Sequence, residues 1–187
     1  MRPPTIGEES SGTWAEQQAL PDEMKKFRLT MPGWKLRNDL QFKAPTARRA
    51  FMALQFGDAE LIRVVEDCFK PAATRAGFDL RMLTDGQGAG LIDDQMRVAL
   101  RTSRFIVADL THGNRGAYWE SGFAEGLGRP VFYTCRSDVW NDVSLRPHFD
   151  TRHMATVIWD PANLQQAENQ LSNMIRATLP TEAKLQD

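Results

Sequence analysis

Glu120 is the side chain whose surroundings in this sequence best suit it to covalent chemistry. It lies in the run Ala108-Asp109-Leu110-Thr111, then Gly113-Asn114-Arg115-Gly116-Ala117-Tyr118-Trp119-Glu120-Ser121-Gly122. An apolar strand followed by a polar, glycine-bearing loop and a helix is an arrangement in which backbone N–H groups hold a phosphate or a sugar hydroxyl. The spacing places Glu120 in the first turn or so of that helix, facing the same crevice. A carboxylate near a helix N-terminus is favoured in its ionised form. That form suits a nucleophile or the stabiliser of an oxocarbenium ion. The residue reads equally well as an ordinary first-turn glutamate satisfying the helix dipole.

Other signals carry less. Gly86-Gln87-Gly88-Ala89-Gly90 follows a strand and opens a helix, but Leu91 stands where a dinucleotide-binding loop needs its third glycine. Turn geometry accounts for these glycines more simply. His148 and His153 have no partner cluster, and the two cysteines, Cys68 and Cys135, have no metal-ligand spacing. Neither a metal nor a cofactor is expected.

The elements that must position Glu120 follow from the hydrophobic pattern. Ala50-Phe51-Met52-Ala53-Leu54-Gln55-Phe56 is a short apolar run of the kind covered on both faces of a sheet. Asp58 is suited to cap a helix through Ala59, Leu61, Ile62, Val65 and Phe69, with a kink or boundary at Pro71. Residues 78–83 read as a second strand. Residues 91–102 read as a helix with Ile92, Met96, Ala99 and Leu100 inward. Residues 104–110 form the clearest strand, and residues 117–127 the helix after it, stopped by Gly128. Two more strands are expected at 130–135 and 154–159. Asp160 then caps a last helix, with Pro161 in its first turn and Leu164, Ala167, Leu171 and Ile175 on one face.

Five strands alternating with helices predict an α/β fold, a flavodoxin-like three-layer sandwich with a five-stranded parallel sheet in the order 2-1-3-4-5. In that order the loops after the first and third strands flank the ligand-binding switch point. These loops contain Gln55, Phe56, Gly57 and Asp58, and Thr111 through Gly116.

Residues 1–46 differ. They are rich in proline and charge, show no sustained period, and read as a partly ordered N-terminal arm before a domain at 47–187. Trp14 and Trp34 are isolated apolar residues in it that can pack on a neighbouring subunit. The whole chain of 187 residues carries a net charge of −1, with 42% hydrophobic and 25% charged residues. No basic excess points to a nucleic-acid polymer. No apolar run reaches the length that crosses a bilayer. The opening residues lack the apolar stretch of a secretory signal, so a cytoplasmic home is expected.

Three segments carry a family resemblance: the run from Ala50 to Gly57, then Gly90-Leu91-Ile92-Asp93-Asp94, then Val107 through Glu120 to Gly128-Arg129-Pro130. Over residues 51–159 the chain resembles the nucleoside 2-deoxyribosyltransferase-like superfamily, which includes nucleotide N-glycosidases. The resemblance implies that Glu120 attacks the anomeric carbon of a nucleoside or nucleotide. It implies that an acid on the preceding helix, matched by Asp94 with Asp93 as competitor, protonates the leaving base. Such a pair divides the work, one group ionised and one with a raised pKa. Asp109 corresponds to an acid that ends strand three; it reads as a ribose contact or as a cap on the loop backbone. Asn114, Arg115 and Gly116 fall in the loop that binds ribose or 5′-phosphate, where an arginine fork suits phosphate. Tyr118 and Trp119 read as helix packing before base stacking. The segment Pro147-His148-Phe149-Asp150-Thr151-Arg152-His153 is similar to a Phe-Asp-x-Arg element of relatives and offers Asp150 or Arg152 to the pocket.

The chain departs from the family at Gln55-Phe56-Gly57, where small residues usually take a 5′-phosphate. It departs again at 178–187, which does not match the polar ending that completes a partner's site. Relatives imply a homodimer or higher oligomer, with Trp34 or the loop 146–153 as the contact. Two other readings share the residues: a TIR-like NAD hydrolase, faintly suggested by Trp119-Glu120, and a nucleotide-sensing module without turnover.

Overall fold

The computed structural model describes residues 15–17, 27–33, 48–85 and 92–186. Trp14, Trp34, the glycine run 86–90, Leu91 and the side chain of Ile92, all named above, lie outside the described residues. The chain divides into two compact units, Met1–Lys43 and Ala44–Asp187. In the first, Ala15–Gln17 and Phe27–Leu29 pair antiparallel, with Ala15 opposite Leu29. Strands of three residues are too short for alternation to show in the sequence.

The second unit holds the five-stranded parallel sheet. Its strands are β1 Arg49–Ala53, β2 Asp79–Arg81, β3 Phe105–Asp109, β4 Val131–Arg136 and β5 Thr156–Trp159. They lie in the order β2-β1-β3-β4-β5, all neighbours parallel. The expected flavodoxin-like order is borne out. Both faces are buried, and alternate side chains feed two separate cores. Ala50, Met52, Phe105, Val107, Phe132 and Val157 point to one side, packed with Leu61, Phe69, Leu171 and Ile175. Phe51, Ala53, Ile106, Ala108 and Tyr133 point to the other, packed with Leu100, Ala117 and Ala124. This strict alternation on a doubly covered sheet explains why the strands read as continuous apolar runs.

The helices are α1 Ala59–Val64, α2 Lys70–Arg75, α3 Ile92–Thr102, α4 Arg115–Gly126, α5 Ser137–Asn141 and α6 Leu164–Thr178. Asp58 caps α1 as expected, its carboxylate accepting from the Glu60 and Leu61 amides at 2.8 and 3.1 Å. Pro71 falls in the first turn of α2, where the expected kink or boundary takes a particular form. A π turn, Val65–Phe69, carries α1 into α2, with the Lys70 amide donating to the Val65 carbonyl five residues back. Widening the turn relieves the clash that a proline ring makes with the carbonyl four residues before it. The last helix starts later than expected. Asp160 caps a turn instead, accepting from the Ala162 amide at 2.9 Å, and α6 begins at Leu164.

The C-terminal residues fasten the N-terminal edge of the sheet. Glu182 accepts a two-pronged hydrogen bond from Arg104, at 2.8 and 2.7 Å, immediately before β3. Its carbonyl accepts from Arg48 at 2.7 Å, and the Lys184 amide donates to the Ala76 carbonyl at 2.9 Å. The tail is therefore held at the edge opposite the loops that follow β1 and β3.

At that opposite edge, Asp109 ends β3 with 1% exposure. It accepts from Thr134 Oγ1 of β4 at 2.7 Å, Trp159 Nε1 of β5 at 2.9 Å and the Thr111 amide at 3.0 Å. Burial pushes its carboxyl up, and the three donors pull it back. Asp109→Asn keeps the shape but turns one oxygen into a donor, which must face either the Thr111 amide or the Thr134 and Trp159 donors. We expect a loss of about 2 kcal/mol in denaturant unfolding; an unchanged midpoint contradicts this role.

Candidate functional site

The loops after β1 and β3 meet, as the strand order requires. Asn114 Nδ2 donates to the Leu54 carbonyl at 3.2 Å, and His112 Nε2 lies 2.9 Å from Asp58 Oδ2. Asn114 also caps α4, accepting from the Gly116 amide at 2.8 Å. Both ends of the Asn114 amide are thus used in building the loop. The left-handed backbone at Gly113, φ 58°, makes the turn into this cap.

Because α4 starts at Arg115, Glu120 lies in its second turn and not its first. The buried face of α4 runs Ala117, Glu120, Ser121 and Ala124, at helical spacing. The two alanines in that stripe let the helix sit close to the sheet, so Glu120 is carried into the interior with 8% exposure. Among the described residues no hydrogen bond or ion pair reaches its carboxylate. Burial alone pushes it up to about 7. The expected stabilisation of the ionised form by the helix terminus is therefore overturned, since that effect fades within the first turn. Near neutrality the group is poised between its two forms, a state suited to acid–base or nucleophilic work.

The other anticipated residues divide sharply. Asp94 is not a buried acid. It stands on the solvent face of α3, its side chain 68% exposed and 3.5 Å from Arg97. Asp93 is exposed as well. The desolvation a leaving-group acid needs is absent at both. Asp109 is the loop cap and not a ribose contact, since it is buried and its carboxylate accepts three hydrogen bonds from inside the sheet and its loop. Gln55, Phe56 and Gly57 form an exposed loop, with Gln55 Nε2 donating to the neighbouring Phe56 carbonyl at 3.3 Å. Asp150 is exposed and lies 3.2 Å from His148 Nδ1.

Arg115 and Arg152 enter cavities. A groove of about 530 Å³ is lined by Gly113, Arg115, Tyr118, Leu145, Arg146, Pro147 and His148. A second, of about 430 Å³, is lined by Trp140, Arg146, Phe149, Arg152 and His153. Glu120 lines neither. Tyr118 accepts from the His148 amide at 2.9 Å, fixing α4 to the segment that walls the larger groove. Trp119 stacks on Phe123, ring centroids 5.3 Å apart, as helix packing. Sequence reasoning named neither Arg146 nor Trp140 as a groove residue; it took Arg146 only as the start of a loop offered as a subunit contact, and read Tyr118 as helix packing before base stacking. Arg146 follows an aperiodic stretch, and only its proximity to α4 reveals it.

Among the described residues no three His, Cys, Asp or Glu side chains are arranged to hold a metal ion, and no helix is long and apolar enough to cross a membrane. No protein-family model matches the chain, and no curated protein matches it.

The raised Glu120 makes a stability prediction. Its folded value, about 7, lies above the ordinary 4.5. Its stability contribution is thus fully present below pH 4.5 and lost as pH rises through 7. Glu120→Gln removes the ionisable group, so at pH 8 the variant should be more stable by roughly 2 kcal/mol once partial solvent screening is allowed for. Near pH 4 the two proteins should melt together. A gap that does not change with pH contradicts the raised value.

Proposed function

We propose that the protein cleaves the N-glycosidic bond of a nucleotide, with Glu120 as the nucleophile. The observation that carries this reading is a buried carboxylate without a partner among the described residues, on the helix leaving the switch point of a parallel sheet. A structural glutamate at 8% exposure is normally paired or hydrogen-bonded. Leaving it unpaired is costly, and a cationic transition state is what such a group stabilises best. The family resemblance points to the same residue.

In this reading Glu120 in its ionised form attacks C1′ of the sugar. The C1′–N bond breaks, its electron pair leaves with the base, and the base takes a proton from solvent, to which the later hydrolysis returns one. Water then opens the glycosyl ester at C1′, releasing the sugar phosphate and returning the carboxylate. Interception by a second base instead gives transfer. Asp94 and Asp93, exposed on α3, are dropped as the source of the leaving-group proton. Arg115 and Arg146, with His148, line the larger groove beside the start of α4, and two guanidinium groups there favour a phosphorylated ligand over a plain nucleoside.

Release of free base from a panel of nucleosides, nucleoside monophosphates and dinucleotides tests the proposal. Glu120→Gln should lower the rate by about two orders of magnitude or more, with the fold intact by circular dichroism. An activity within a few-fold of wild type overturns the assignment.

The pH profile separates nucleophile from acid. If the ionised form attacks, kcat/KM rises tenfold per unit below an apparent pKa near 7 and levels above it. A rate that falls across the same range instead makes Glu120 the proton donor. Nucleotide binding without base release by any variant leaves a sensor.

A further inference from the structure

The two grooves share one residue. Arg146 lines both, and it sits in the segment between α5 and β5 whose turns hold the walls in place. Its amide donates to the Asp142 carbonyl at 2.9 Å, and Asp142 in turn accepts from the Ser144 amide at 2.8 Å. Beyond it, the Thr151 and Arg152 amides return to the His148 and Phe149 carbonyls at 3.0 and 3.3 Å. This chain of turns fixes the segment without using the arginine side chain. Arg146 Nε is buried, with no hydrogen-bond partner among the described residues. Among the described residues no ion pair joins a carboxylate to Arg115, Arg146 or Arg152, although the Arg146 charge is felt at Asp142. In the same segment Asp150 lies 3.2 Å from His148 Nδ1, and Asp142 accepts from Ser144 Oγ at 2.6 Å.

Each groove repeats the same chemistry: a guanidinium of its own, the shared guanidinium, a histidine and an aromatic ring. The larger has Arg115, His148 and Tyr118; the smaller has Arg152, His153, Trp140 and Phe149. Phe149 is 64% exposed, a large ring left in water at the rim. Three guanidinium groups in sequence, on a chain whose net charge is −1, form a local concentration of positive charge that bulk composition does not predict. Arginine forks suit phosphate oxygens, and flat rings suit bases.

The geometry points to a ligand that occupies both grooves at once: two nucleoside units joined by a diphosphate, the bridge lying at Arg146 and the second base against Phe149 and Trp140. This deepens the nucleotide reading above and rests on it for the larger groove. A mononucleotide fills one groove and leaves Arg152 unused. A dinucleoside diphosphate engages both, and linking the two halves makes the second contact effectively intramolecular.

The test is equilibrium binding to the 187-residue chain carrying Glu120→Gln, which slows any turnover by about two orders of magnitude or more, measured calorimetrically. The probes are the nucleoside 5′-monophosphates of the common bases and the dinucleoside 5′,5″-diphosphates built from them. The dinucleoside probe should bind at least about tenfold tighter than the matching monophosphate. Adding Arg152→Ala or Phe149→Ala should erase that advantage and leave monophosphate affinity unchanged, whereas Arg115→Ala should weaken both probes.

Equal affinity for the two probes overturns the inference, as does an equal loss for both in Arg152→Ala. Tighter binding of a single-stranded oligonucleotide than of any dinucleoside probe overturns it in favour of a polymer. Self-association that Phe149→Ala abolishes, seen by sedimentation, overturns it in favour of a subunit contact. Base release by the wild-type chain is read separately. Release from monophosphates with no dinucleoside preference sinks this inference alone, while dinucleoside preference without release from any probe sinks only the glycosidase reading.

Discussion

One buried carboxylate organises the edge of the sheet at which everything else is placed. Asp109 draws a hydroxyl from β4, an indole N–H from β5 and an amide from the loop that opens toward α4. Three strand ends therefore converge on a single acceptor, and the segments that leave them start from fixed points. Hydrogen bonds to a charged or buried carboxyl are stronger than neutral ones, but losing a partner is costlier still. The network works only when complete. Its completeness makes the edge rigid enough to support loops that themselves carry few apolar contacts.

Glu120 is the counterpart. It too is a buried carboxyl, a short way along the chain from Asp109, yet no donor meets it among the described residues. The two groups differ in partners and not in type. For Asp109 desolvation is balanced by donors, and the result is structure. For Glu120 desolvation stands alone, and the result is a group near its titration point. The cost of holding it there is met elsewhere in the fold, by two apolar cores and by the tail that locks Arg104 to Glu182 at the far edge. Stable scaffold at one end and an unsatisfied group toward the other is the arrangement expected where a site is built at some expense of stability.

Much of the scaffold was legible in the residues. The strands could be read because burial on both faces demands unbroken apolar runs, and the order 2-1-3-4-5 was the natural one for five alternating strands and helices in a chain of this size. The differences were local. Pro71 was read as a kink or a boundary, and the sequence could not show that this would take the form of a π turn leading into a new helical segment at Lys70. Asp160 and Pro161 looked like a helix start, but the aspartate spends itself on the Ala162 amide and α6 waits for Leu164. The site was less legible. Glu120 was found by its place after β3, yet its ionisation was misjudged, because one turn of helix separates stabilisation by the dipole from burial against the sheet. Asp94 had the right spacing and the wrong face. Arg146 had entered only as the start of a loop offered as a subunit contact.

The sequence by itself determined the layers, the strand order and the helix that carries Glu120, because periodicity and turn chemistry act over a few residues and are written locally. Only the tertiary structure decided what surrounds each charge: three donors for Asp109, none among the described residues for Glu120, an exposed place beside Arg97 for Asp94, and two grooves for Arg146. Solvation and hydrogen bonding depend on atoms that are distant in the chain, and no local pattern encodes which of them will arrive.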